Sequence, residues 1–323
     1  MRKIFTLLMA LLMLISLIGC KSRRESRPEE KLLVTALGFD YDGENYTVTA
    51  ETVKAQNSGE NSISFLSDES KNLESAFLML SAKSSLPLSL SHTAAVVFGE
   101  SITVTAAEQI RLFLTSVEQF PLSAVTLSAE DAKELITSDT GDEPKGILLQ
   151  SLLAQKYTAT GIGGNTAFFE IATALIQPIK LFALPRVLNS GGFLEIDELC
   201  LAREDFCRRL SYEESLVYAL VRNLFEGGRV FINGRVTELD KVSVSLVPRL
   251  QNGRLKLDFT LKTKENGDAV AKVLRECIQK SQKDIFGIDG EIYRADKELF
   301  DFIYDDYEKY YREKSVEVKV VKG

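Results

Sequence analysis

Residues 31–54 read KLLVTALGFDYDGENYTVTAETVK, and this stretch decides the fold class. Residues 31–39 are β-rich and loosely alternating. Residues 45–54 alternate again, with Tyr46, Val48 and Ala50 separated by Thr47 and Thr49. Successive side chains of a strand point to opposite faces, so each run presents one apolar face. Asp42-Gly43 supplies a turn between them. A β-hairpin therefore opens the folded body.

Farther along the chain, residues 56–71 are polar and Ser-rich, which predicts a loop. Leu73, Ala76, Phe77 and Leu80 recur at helical spacing behind Asn72, a suitable N-cap. A strand is expected over 93–98, and a second amphipathic helix carries Ile110, Phe113, Leu114 and Val117. Another strand follows over 122–127. Ser128 and Asp131 then precede a short apolar-periodic stretch ending near Ile136, a weak relative of the capping box. Helices are expected over 145–155 and 166–176. Pro178 and Pro185 bracket the strand-like Leu181-Phe182-Ala183-Leu184. Asn189-Ser190-Gly191-Gly192 places four turn-forming residues in a row, the best candidate for a domain boundary.

Beyond it, 193–201 is β-rich. Ser211-Tyr212-Glu213-Glu214 is a capping box, with Leu216, Leu220 and Leu224 as the stripe behind it. Strands are expected over 229–236 and 241–250, and Asn252-Gly253 turns the chain into a third over 254–262. Helices over 268–283 and 296–311 lead to a final strand carrying Val316, Val318 and Val320. Hairpins mixed with helices argue against a doubly wound parallel fold. The class is α+β: a multi-domain, mixed chain with antiparallel hairpins, an N-terminal α/β part over 31–188 and a C-terminal α/β part over 189–323. The second part ends in a long helix and a strand.

The N-terminus is of another kind. Arg2 and Lys3 precede an almost unbroken apolar run from Thr6 to Ile18, closed by Leu17-Ile18-Gly19-Cys20. That order is a signal peptide over 1–19. The run is short against the roughly 20 apolar residues a spanning helix needs. The segment resembles the lipobox of bacterial lipoproteins, which implies a thioether-linked diacylglycerol on Cys20 as the first mature residue. The alternative is an uncleaved anchor with an incidental cysteine. Residues 20–30 then form a lipidated tether, in which Lys21, Arg23, Arg24 and Arg27 outnumber Glu25, Glu29 and Glu30. It is either a basic strip resting on anionic headgroups or a solvated linker.

The formal charge is −7 and becomes two units more negative once Arg2 and Lys3 leave. An acidic body with one histidine lacks the electropositive surface a nucleic-acid binder needs. Besides Cys20, the cysteines are Cys200, Cys207 and Cys277, without C-x-x-C spacing. Neither a disulfide scaffold nor a thiolate zinc site follows. If Cys200 and Cys207 share a helix face, two turns hold them beyond disulfide reach, and burial as small apolar residues is expected for all three.

Catalytic candidates are sparse. His92 stands alone in Ser91-His92-Thr93 with no G-x-S-x-G elbow in the chain, which predicts a structural histidine satisfied by backbone groups. Gly161-Ile162-Gly163-Gly164 lacks both P-loop and dinucleotide spacing and is expected as a loop. Asp139, Asp142 and Glu143 lack a calcium-loop alternation. Asp301, Asp305, Asp306 and Glu308 are expected on the wet face of the last helix. Phe302, Tyr304, Tyr307, Tyr310 and Tyr311 are expected as a packing face. No catalytic residue, cofactor or metal is assigned.

The order of motifs carries a resemblance. Leu33-Val34-Thr35-Ala36-Leu37-Gly38-Phe39-Asp40 behind a lipobox resembles the start of the Ger(x)C family, the lipoprotein C subunits of spore germinant receptors. Leu90 through Glu100, with His92 and Gly99, is similar to that family's second strand motif. Phe182-Ala183-Leu184-Pro185 is similar to its passage between domains, and Gln282-Lys283-Asp284-Ile285-Phe286-Gly287 to a motif of its last part. Val316-Glu317-Val318-Lys319-Val320 with Gly323 resembles its closing strand. Where the family usually has tryptophan in the last long helix, this chain carries Phe300, Phe302 and Tyr304. The resemblance implies a non-enzymatic subunit on the outer face of the spore inner membrane, lipid-anchored through Cys20 and partnered by membrane-embedded A and B subunits. Contact with a small-molecule germinant stays open. A solute-binding lipoprotein of an uptake transporter is the rival; it calls for two similar βα lobes about a cleft.

Overall fold

A computed structural model describes residues 31–54, 62–139, 141–160, 166–203, 206–225, 227–232 and 234–323. The expected hairpin is β1 (Leu32–Tyr41) and β2 (Tyr46–Lys54), paired antiparallel. Asp42 Oδ1 accepts the N–H groups of Glu44 and Asn45 at 2.8 and 2.7 Å, closing the turn.

The Ser-rich stretch expected as a loop is instead a third strand, β3 (Ser62–Ser70), paired to β2. Its serines pair across the ladder: Thr49 Oγ1 lies 3.0 Å from Ser67 Oγ, and Thr52 Oγ1 2.8 Å from Ser64 Oγ. Cross-strand hydroxyl pairs add to the ladder, and with Phe65 exposed and the adjacent Leu66 packed on the core, the apolar residues of this strand do not keep to one buried face.

The chain continues through α1 (Leu73–Ala82), the two-residue β4 (Leu88–Ser89), β5 (Ala95–Gly99), α2 (Val104–Ser116), β6 (Val125–Ala129) and α3 (Ala132–Thr137). It then runs through α4 (Lys145–Thr160), α5 (Phe168–Ile176), β7 (Leu181–Ser190), β8 (Phe193–Arg203) and β9 (Phe206–Arg209). The main sheet has the order β3-β2-β1-β5-β6-β7-β8-β9, with β4 beside β1. Its two ends are antiparallel hairpins, but β1, β5, β6 and β7 run parallel. The hairpins in the sequence point away from this parallel centre. It exists because helices cover both faces, and β5 and β6 are buried throughout.

Leu37, Phe39, Val96 and Phe98 face α1, α2 and α5. Ala36, Ala95, Val97 and Leu127 face α3 and α4 on the other side. Each large side chain so buried contributes about 1.5–3 kcal/mol.

Residues 189–192 form the turn between β7 and β8, and the sheet continues across them. The period of two divides this last part of the sheet between two cores. Phe182, Leu184 and Ala202 join the core of α1, α2 and α5. Leu181, Ala183, Leu199 and Leu201 join a third core that spans the rest of the chain.

That remainder comprises α6 (Tyr212–Val221), a two-stranded sheet of β10 (Gly227–Ile232) and β11 (Arg235–Asp240), and a three-stranded sheet. The latter pairs β12 (Ser243–Gln251) with β13 (Arg254–Thr263), and β13 in parallel with β14 (Ser315–Lys322). Between β13 and β14 lie α7 (Gly267–Lys280), α8 (Ile288–Ala295), α9 (Lys297–Ile303) and α10 (Tyr307–Arg312). The single strand expected over 229–236 is thus a hairpin. The helix expected over 296–311 is interrupted by a 3-10 turn at Tyr304–Asp306. Among the described residues, no helix is long and apolar enough to cross a membrane.

Candidate functional site

In open α/β sheets, ligands bind at the carboxyl ends of the parallel strands. Here that edge is filled by the chain's own carboxylates. Asp40, near the end of β1, accepts the N–H groups of Ala132 and Lys133 at 2.8 and 3.0 Å and so fastens α3 to the sheet. Burial pushes its carboxyl above the usual range. Gly99 ends β5 beside it, and a Cβ there would fall 2.1 Å from Asp40 Oδ1.

Glu100 follows directly and accepts from Arg186 Nε and from Arg209 Nε, the latter at 2.9 Å. Glu130, just after β6, lies 3.3 Å from Arg209 and 3.7 Å from Arg186. Arg186 is buried in β7 and Arg209 ends β9, so this four-residue cluster ties the ends of β5 and β6 to β7 and β9. Cys200 and Cys207 lie beside it, with their sulfurs 3.1 Å apart. This overturns the helical placement. The two cysteines belong to adjacent antiparallel strands, with Cys207 opposite Ala202 and Cys200 opposite Arg209. Cys277 is half-buried on α7, where burial pushes its thiol up to about 11.

A second buried acid holds α4. Glu51 on β2 accepts from Thr35 Oγ1 at 2.6 Å and from the N–H groups of Lys145 and Gly146 at 2.8 and 3.1 Å. A carboxylate beneath a helix N-terminus meets unpaired N–H groups and the positive end of the dipole.

The third constellation lies at the junction of the two parts of the chain, in a cleft of about 980 Å³. Asp284, from the Gln282–Gly287 motif, is buried and accepts the N–H groups of Phe286, Ile288 and Asp289 at 3.1, 3.0 and 2.9 Å. Tyr307 donates its hydroxyl to the same carboxylate at 2.7 Å. Arg203, at the end of β8, donates to Asp289 and, at 2.6 Å, to the Asp284 carbonyl. Although burial opposes its charge, Asp284 is held below the usual carboxylate range by Arg203 and these donors. Burial, reinforced by the Asp284 charge, pushes Asp289 up to about 7. Lys314 donates to the Ser281 carbonyl at 2.7 Å and sits 3.8 Å from the Tyr311 ring centroid; burial brings its pKa down to about 8.

The other sequence candidates separate. Cys20, the tether over 20–30, and the 161–164 glycines lie outside the described residues. His92 is exposed on a 3-10 turn. Its Nδ1 meets the Ser91 hydroxyl at 2.9 Å, so the expected backbone partners are replaced by a neighbouring side chain. Tyr307 and Tyr311 are core residues, whereas Phe302 and Tyr304 are exposed, so the expected aromatic face is split. Asp301, Asp305, Asp306 and Glu308 are on the wet side. Among the described residues, no three His, Cys, Asp or Glu side chains converge as a metal site. Arg186, Arg203 and Asp289 escape sequence reasoning, since a charge that becomes buried has no local signature; Arg209 is exposed and is found only through its pairing with Glu100 and Glu130.

Two of the motifs that carried the resemblance thus meet in space, at Asp40 and Gly99; Glu100 pairs with Arg186, the residue after Phe182–Pro185, and Asp284 lies at the junction. The spore germination protein N-terminal domain family matches residues 25–188, about half of the chain, and the chain belongs to this family. The fold also aligns with the crystal structure of the GerBC protein at a TM-score of 0.47 and 12% identity, over 88% of this chain and 96% of that one. No curated protein matches the chain.

Proposed function

We propose that this protein is a non-enzymatic lipoprotein subunit of a nutrient germinant receptor. It is held at the outer face of the spore inner membrane through a diacylglycerol on Cys20, and membrane-embedded A and B subunits are its partners. Residues 31–188 and 189–323 act as two units joined along β7, β8 and β9. The observation that carries this reading is the family membership over residues 25–188. The carboxyl edge of the sheet supports it, because Asp40, Glu100 and Glu130 are engaged in holding elements together rather than lining an open ligand site. A solute-binding protein calls for two similar lobes; one large mixed sheet with two small ones does not supply them.

The test is isolation of the tagged protein from dormant-spore membranes, together with deletion of its gene. Co-isolation of A- and B-type subunits and a lost response to at least one nutrient are expected. Normal germination with every nutrient tried, or co-isolation with an uptake transporter instead, overturns the proposal.

A further inference from the structure

We propose that Cys200 and Cys207 are a disulfide-forming pair, oxidised in the exported protein and clamping β9 to β8. The compartment in that statement rests on the export reading above; the pairing rests on geometry alone. β8 and β9 are antiparallel with Ala202 opposite Cys207 and Cys200 opposite Arg209, which sets the two cysteines on one face of the hairpin as diagonal neighbours. The sulfurs stand 3.1 Å apart, and a disulfide of about 2.0 Å requires a closure of about one ångström. Cys200 is buried and Cys207 half-buried, so the pair has an accessible member and a sheltered one.

The chemistry is thiol–disulfide exchange with an external disulfide, of a small molecule or of an oxidoreductase. One thiol of the pair loses its proton and attacks the external disulfide, forming a mixed disulfide and releasing one thiolate. The second thiol then loses its proton, attacks its partner's sulfur and expels the other thiolate. Two thiols are oxidised to one disulfide while the external disulfide is reduced to two thiols. The hydrogen bond from Cys207 lowers the Cys200 pKa and so favours its thiolate. In reducing compartments such pairs stay open, and in extracytoplasmic ones they persist as bridges.

The consequence is local. β9 has four residues at the end of the sheet, paired to β8, and its Arg209 completes the cluster with Glu100 and Glu130. A covalent link there fixes Arg209 against the N-terminal part of the chain.

The test isolates the full-length protein from the membranes of the producing cells into denaturant containing an alkylating reagent and no reductant. Peptide mass spectrometry is expected to show Cys200 and Cys207 unalkylated and joined, lighter by two hydrogens, with Cys277 alkylated. Reduction should lower the melting temperature of the native protein by about 2–8 °C, and Cys207→Ser should abolish that response. Free thiols at 200 and 207 in a chain shown to carry lipid overturn the proposal, as does a bridge to Cys277. If the chain carries no lipid and stays inside the cell, the export reading fails. The purified full-length chain treated with oxidised glutathione then decides: a Cys200–Cys207 bridge upholds the pairing, while glutathione left on either cysteine, or two free thiols, overturns it.

Discussion

Gly99 stands against the carboxylate of Asp40 so closely that a Cβ at position 99 would lie 2.1 Å from Oδ1. The contact joins the ends of two parallel strands and leaves Asp40 free to accept the first N–H groups of α3. Gly99→Ala therefore displaces the carboxylate and is expected to destabilise the fold by about 1–3 kcal/mol, as overpacking does. Asp40→Ala removes the clash as well as the cap. The double variant should be more stable than the sum of the two single effects, measured by urea unfolding. Strict additivity would mean that the two residues do not touch.

At the neighbouring charge cluster, Glu100→Ala leaves the buried Arg186 guanidinium without its closest carboxylate. A loss of about 3 kcal/mol is expected. Glu130→Ala, at a side chain that is 80% exposed, should change stability by less than about 1 kcal/mol. Equal effects from the two substitutions would contradict the burial on which the argument rests.

Asp289 makes stability depend on pH. Burial and the Asp284 charge raise its pKa from 3.8 to about 7, so between these values the folded chain binds more protons than the unfolded one. Its contribution is full below about pH 4 and is lost as pH rises through 7, with a slope of at most about 1.4 kcal/mol per pH unit. Asp289→Asn, which keeps an acceptor for Arg203, should flatten the decline in urea midpoint between pH 5 and pH 7.5. An unchanged slope would show that Asp289 is already ionised at pH 5.

For the anchor, Cys20→Ala is expected to block lipid attachment and cleavage, leaving a longer precursor without lipid label. Mass spectrometry of the wild type decides the matter, and an unmodified mature N-terminus elsewhere would overturn the lipoprotein proposal.

His92 is exposed, with its Nδ1 2.9 Å from the neighbouring Ser91 hydroxyl. His92→Gln should leave stability within about 0.5 kcal/mol and the nutrient response of spores intact. A lost response at normal protein level would make this exposed histidine functional.

The sequence by itself determined the elements whose signals are local. The hairpin of 31–54 follows from alternation and Asp42-Gly43. Asn72 caps α1 and Ser211 with Glu214 caps α6, because such bonds join residues three apart. Asn252 and Gly253 take the positive φ angles their turn demands. The class α+β was legible for the same reason, and so was the order of motifs that led to the family.

Only the tertiary structure decided which elements meet. β3 is a strand because hydroxyls on β2 stand opposite its serines, and the centre of the sheet is parallel because helices cover both faces. Cys200 and Cys207 come together because β8 and β9 pair antiparallel, where a helix would have held them two turns apart. Asp284, Asp289 and Arg203 become one buried cluster only when the end of β8 meets the segment after α7. Backbone periodicity and capping act between near neighbours and are written in the order of residues. Burial of a charge and the pairing of distant strands depend on the whole packed body, and no short stretch of sequence carries them.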